Sequence, residues 1–178
     1  MKTIQLKDKR FRTNISSEEI LTQVNRVAKE IASDYKSKNP MFIVVLNGAF
    51  MFASDMMKAL DIDCEISFVK LSSYQGTKST EKVKEIIGLN KSIDGREIII
   101  VEDIVDTGIT MENLLEDLGK MNPKSIRIAS LLFKPNSFRK DFKIHYVGFE
   151  IPDDFIVGYG LDYDELGRNL SEIYIITD

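Results

Sequence analysis

Short apolar runs, unfit for water on either face, constrain this chain more than any other feature. MFIVVL at 41–46, EIIIV at 97–101 and SIRIASLLF at 125–133 each have the length of a strand and little alternation, the pattern of strands buried on both sides. Such strands need helices above and below, and the segments between them carry helical spacing. Strand and helix alternating between 41 and 132 imply right-handed crossovers and a mainly parallel twisted sheet flanked by helices, an α/β fold.

Spacing and punctuation supply the remaining elements. Ser16 stands three residues before Glu19 as in a capping box, and Ile20, Val24, Val27 and Ile31 repeat at helical intervals, which predicts a helix over 17–36. A second helix is predicted over 49–60. A third starts at Thr110, read as its cap, carries Met111, Leu114, Leu115 and Leu118 on one face, and stops at Gly119 and Pro123. Further strands are predicted at 63–69, 82–87, 143–149, 155–158 and 172–178. The polar stretch KLSSYQGTKST between the first two reads as a flap rather than a tight hairpin. With 178 residues, no repeat and no linker, the chain reads as a single domain over 1–178.

Composition then removes whole classes of function. A net charge of −4 argues against a nucleic-acid partner gripped by a basic face, so any bound anion must be held locally. The charge-broken N-terminus and the shortness of the apolar runs predict neither a signal peptide nor a membrane span. The lone Cys64 suits a reducing compartment, hence a cytoplasmic location. Other conspicuous residues read as structural: His145 in an alternating strand, Met51, Met56 and Met57 as helix packing, and Asp153-Asp154 as a solvated turn.

In a doubly wound sheet, ligands bind beyond the carboxyl ends of the strands. After the run at 97–101 come Glu102, Asp103 and Asp106, then Thr107-Gly108-Ile109-Thr110 and a helix start. Three acids gathered at a strand end repel one another, and a bound Mg²⁺ or a sugar diol relieves that repulsion. A glycine turn into a helix N-terminus presents backbone amides and hydroxyls to a phosphate. A phosphorylated ribose satisfies both demands.

The whole string VEDIVDTGIT resembles the 5-phosphoribosyl-1-diphosphate (PRPP) signature of the type I phosphoribosyltransferases, and Glu102-Asp103 with the landmarks below narrows the resemblance to the hypoxanthine and hypoxanthine-guanine branch. That resemblance implies a small hood formed by the N- and C-terminal segments. It implies that Leu46-Asn47-Gly48 is a pyrophosphate loop with a cis peptide between Leu46 and Asn47, and that Ser73-Tyr74 belongs to an active-site loop. Lys134 corresponds to the lysine that contacts the six-oxo group of a purine, and FIVGYGLDYDELGRNL to the base- and metal-binding segment. Within it Phe155 stacks on the base, the Ile156 backbone reads its edge, Asp162 lies at the purine and the metal, and Arg168 contacts pyrophosphate.

By the same resemblance Asp106 is the general base, Glu102 and Asp103 hold the ribose hydroxyls and Mg²⁺, and residues 106–110 grip the 5-phosphate. The implied reaction takes PRPP and a 6-oxopurine to IMP or GMP and pyrophosphate, in a homodimer or homotetramer. Ile109 and Asn47 stand where some members carry basic residues, and a loop acting through backbone amides tolerates both. The alternative reading is a regulator that keeps the fold to sense PRPP or nucleotides without catalysis.

Overall fold

The computed structural model describes residues 2–73 and 84–177. In chain order these form β1 (Thr3–Leu6), β2 (Lys9–Ile15), α1 (Ser17–Asp34), β3 (Met41–Leu46), α2 (Phe50–Ala59), β4 (Glu65–Ser73), β5 (Lys84–Ile87), β6 (Glu97–Val105), α3 (Ile109–Gly119), β7 (Ser125–Phe133), β8 (Tyr146–Glu150), β9 (Ile156–Val157) and β10 (Ile173–Ile176). Six strands make the main sheet in the order β5-β4-β3-β6-β7-β8, parallel except for the antiparallel edge strand β5. No described helix is long and apolar enough to cross a membrane.

Consecutive residues of the central strands bury themselves in opposite layers. Phe42 and Val44 of β3 and Ile99 and Val101 of β6 pack with Val24, Ile31, Phe52 and Met56 of α1 and α2. Met41, Ile43, Ile98 and Ile100 pack on the other face with Met111, Leu114 and Leu118 of α3. Each such side chain contributes about 1.5–3 kcal/mol when removed from water, which is why apolar periodicity alone located β3 and β7. The predicted capping box is present at α1: the Ser16 hydroxyl accepts from the Glu19 N–H, and the Glu19 carboxylate accepts from the Ser16 N–H at 2.9 Å.

The chain leaves β3 through α2 toward β4 on one side and leaves β6 through α3 toward β7 on the other. A crevice therefore opens between the carboxyl ends of β3 and β6.

A second sheet, β1-β2-β10-β9, is antiparallel and joins the two ends of the chain into a hood. Its inner face closes over Phe11, Val157 and Tyr174.

Three expectations about local structure are corrected. The 97–101 strand continues to Val105, so Glu102 and Asp103 lie within β6 and pair along β7 instead of following the strand. Gly108, with φ 85°, caps α3, and Thr110 falls inside its first turn. The polar stretch after Val69 begins as strand, because β5 pairs with β4 as far as Ser73. The charge-rich N-terminus is a hairpin whose alternate residues are buried. His145 is structural, its Nδ1 accepting from the Ile128 N–H at 3.2 Å.

Candidate active site

Three chain segments meet at the crevice. The Leu46–Asn47 peptide bond at the end of β3 is cis. Gly48 follows, with its Cα against the Asp103 carboxylate, so that a side chain there would overlap it. Gly160, held at φ 102°, lies in turn against the Gly48 carbonyl, again with no space for a Cβ. Residues 46–48, Asp103 and Gly160 thus form one contiguous stack, which binds the strand ends of the main sheet to the segment after β9.

Arg168 secures that segment. Its Nη1 donates to the Gly160 carbonyl at 2.8 Å and its Nη2 pairs with Asp162 Oδ1 at 2.6 Å, while its buried Nε has no protein acceptor. The second Asp162 oxygen accepts the Glu165 N–H at 2.8 Å. Burial pushes the Asp103 carboxyl up from its ordinary range, against the opposing pull of Glu102, the Ile104 N–H and the Arg168 charge. Neighbouring positive charge therefore has more effect on Asp103 than on an exposed acid.

A pocket of about 250 Å³ opens beside the stack, lined by Glu102, Asp103, Asp106, Thr107, Gly108 and Thr110 among others. The left-handed Gly108 turns the chain from β6 into α3, whose first-turn amides have no intrahelical acceptor. The Thr107 hydroxyl satisfies the Ile109 N–H only at 3.5 Å. The Ile109 side chain is 54% exposed, so this position contributes main chain and not charge.

Lys134, at the end of β7, is 7% exposed. Its Nζ stands 3.4 Å from Asp106 Oδ2 and 3.5 Å from the Asp153 carbonyl. Both contacts are long, so a buried ammonium with three donors is held beside the pocket without being saturated. Phe155 presents a half-exposed ring, backed by Phe11 and Tyr163. Ile156 lies on β9, an edge strand of the hood.

The structure therefore unites Leu46, Asn47, Gly48, Asp103, Asp162 and Arg168 on one side and Glu102 with Asp106 to Thr110 on the other. Among the described residues, no group of three acids, histidines or cysteines stands close enough to hold an ion on its own. Asp162 is instead committed to Arg168 and the Glu165 amide. Ser73 ends β4, and Tyr74 lies outside the described residues.

Sequence reasoning missed Gly160 and Tyr159. Tyr159, with φ 48°, is buried and donates to Asp55 Oδ2 at 2.7 Å, tying the segment after β9 to α2. The Gly-Tyr-Gly spacing was the available signal, since two glycines around an aromatic residue suit a run of left-handed backbone.

The family model "Phosphoribosyl transferase domain" matches residues 13–164. A hypoxanthine-guanine phosphoribosyltransferase of Aquifex aeolicus is 39% identical, over 98% of this chain and 99% of that protein. One from Bacillus subtilis is 44% identical over 91% of each. Among solved structures, a hypoxanthine-guanine phosphoribosyltransferase of Bacillus anthracis superposes with TM-score 0.84 at 36% identity, covering 94% of this chain and 97% of that one. A hypoxanthine phosphoribosyltransferase of Staphylococcus aureus gives 0.86 at 39%, covering 93% and 91%. Likeness of this extent, in sequence and in fold together, means that the chain belongs to the hypoxanthine-guanine branch of the type I phosphoribosyltransferase family.

Proposed function

We infer that the chain is a purine-salvage enzyme that transfers the 5-phosphoribosyl group of PRPP to N9 of hypoxanthine, and also of guanine, releasing IMP or GMP and pyrophosphate. The observation that carries this reading is the buried Lys134 ammonium, held unsaturated next to Asp106 at the edge of the pocket. A donor in that position favours a six-oxo acceptor over a six-amino group, which separates hypoxanthine and guanine from adenine.

In this reading the bond from the ribose anomeric carbon to pyrophosphate breaks and a bond to N9 forms. Asp106 takes or shares the proton of N7 as N9 attacks. The amides and hydroxyls of Asp106, Thr107, Gly108, Ile109 and Thr110 hold the 5-phosphate at the start of α3. Leu46, Asn47 and Gly48 hold the leaving pyrophosphate through their backbone, with Arg168 behind them. Phe155 stacks on the base and the Ile156 backbone reads its edge. Ser73 and Tyr74 belong to a loop that closes to keep water from the oxocarbenium-like sugar.

The donor set suits Mg²⁺, a hard ion that takes one or two carboxylates and completes its shell with substrate oxygens and water. Glu102 and Asp103 would hold it and the ribose hydroxyls, with Asp162 as a further contact. The chemistry supplied by a bound Mg²⁺ is charge neutralisation of the leaving pyrophosphate. A single domain over 1–178, assembly as a homodimer or homotetramer and a cytoplasmic setting belong to the same reading.

A steady-state assay with PRPP and Mg²⁺ against hypoxanthine, guanine, xanthine and adenine tests it. The expected result is rapid nucleotide formation from hypoxanthine, none from adenine, and loss of both product and rate on chelation. PRPP binding with no turnover of any base would replace the enzyme by a PRPP-sensing regulator.

A further inference from the structure

Phe155 is half exposed, yet its ring is supported from behind. Its centroid lies 6.3 Å from that of Phe11 on β2 and 5.9 Å from that of Tyr163, and those two rings are 6.1 Å apart. Three residues from distant stretches of chain form one aromatic unit whose outer face is Phe155. Phe11 is fully buried under the hood, so the hood sets the position of the unit.

The tip between β1 and β2 reaches the same unit. Lys7 forms an ion pair with Asp164, Asp8 Oδ1 accepts the Tyr163 hydroxyl at 2.8 Å, and the Leu6 side chain lies against Gly167. The turn they grip is an unfavourable one. Tyr163 and Leu166 exchange backbone hydrogen bonds of 2.9 and 3.1 Å, leaving Asp164 and Glu165 as a two-residue loop with φ 50° and 68°. A loop with both residues left-handed prefers Asn-Gly or Asp-Gly, and here Glu165 stands where glycine is preferred. Backbone of this kind persists where its surroundings over-determine it. The Glu165 N–H also donates to Asp162, so the same turn orients that carboxylate.

We propose that the β1–β2 tip is a clamp for the purine platform: by gripping Asp164 and Tyr163, Lys7 and Asp8 hold the strained turn and fix the face of Phe155 on which a flat aromatic base stacks. The proposal rests on the purine reading above. Lys7 and Asp8 are positioning residues, because they act through Tyr163 and Phe155 and not on the base itself. Lys7 and Asp8 are themselves exposed, so truncating them removes no core side chain.

The test is the Lys7→Ala, Asp8→Ala double variant. Its KM for hypoxanthine is expected to rise about threefold to tenfold, with the KM for PRPP and kcat within about twofold of the parent. Asp8→Asn keeps an acceptor for the Tyr163 hydroxyl and is expected to stay near the parent. Adding Glu165→Gly to the double variant removes the left-handed penalty at that position and is expected to restore most of the base affinity. Both KM values rising together, a lowered melting temperature with unchanged base KM, or no rescue by glycine would overturn the clamp. A parent chain inactive on every base would overturn the functional reading and the clamp together, whereas unselective variants of an active parent overturn the clamp alone.

Discussion

The two ends of the main sheet treat charge in opposite ways. Near the amino ends of the strands three carboxylates are paired with cations: Glu65 holds Arg96 at 2.7 Å and Lys91 at 3.2 Å, Glu97 holds Lys124 at 2.9 Å, and Asp34 holds Arg127 and the Tyr146 hydroxyl. Those carboxyls all sit below their ordinary range, chiefly through the side-chain hydrogen bonds they accept. At the carboxyl ends, Asp106 meets the Lys134 ammonium only at 3.4 Å, and burial pushes the Asp103 carboxyl up. One end is electrostatically settled. The other is not, and on the function proposed above that difference separates residues that stabilise the fold from residues that meet the ligand.

The sharpest way to break this comparison is to alter the unsettled end. Asp106→Asn keeps the shape and removes the base, so turnover is expected to fall about 10² or more while PRPP binding, followed by calorimetry, is retained. Unchanged turnover would remove Asp106 from the chemistry. Gly160→Ala comes next, because the new Cβ has no space against the Gly48 carbonyl and the backbone there is left-handed. A loss of about 1–3 kcal/mol of stability is expected in denaturant titrations, together with a raised KM for PRPP as residues 46–48 are displaced.

The settled end should respond in stability alone. Arg127→Met removes the partner of Asp34 and the guanidinium stacked 5.4 Å from the Tyr35 ring. Because the pair is partly exposed, the loss is expected to be about 1 kcal/mol, or a melting shift of about 2–4 °C, with kcat unchanged. A drop in kcat would show that the two ends are coupled.

The smallest effect concerns His145, the chain's single histidine, whose pKa burial pushes below its ordinary value. Its neutral Nδ1 accepts the Ile128 N–H, which protonation would forfeit. A base with a depressed folded pKa binds protons more readily when unfolded, so stability is full above the unfolded value near 6.5 and declines as pH falls through it toward the folded pKa. An NMR titration giving a pKa above 6.5 would reverse that sign.

How much of this could be read in the sequence depended on what each segment touches. β3 and β7 were bounded to the residue because both of their faces are core. β6 was cut short at 101, since its last four residues line a site as well as the core, and polar Glu102 and Asp103 break the apolar signal without breaking the ladder. The N-terminal hairpin buries only alternate residues, Phe11 and Ile15 above all, among charges that mask the period. The local string 102–110 announced its pocket because one continuous segment builds it. The stack of Gly48, Asp103 and Gly160 is assembled from positions more than 50 residues apart at each step, and no local pattern records such a contact.

The hood has a consequence for the order in which the molecule is made. β10, at Ile173–Ile176, is inserted between β2 and β9, so the hood's sheet is continuous only once that strand is in place. During synthesis the main sheet can complete itself as soon as β8 has emerged, with the pocket already shaped between β6 and α3. The aromatic shelf beneath the hood must wait for the final strand. A nascent chain therefore passes through a stage in which the pocket between β6 and α3 exists and the aromatic shelf does not, and ribosome-arrested chains ending before and after residue 176 would capture the two stages separately.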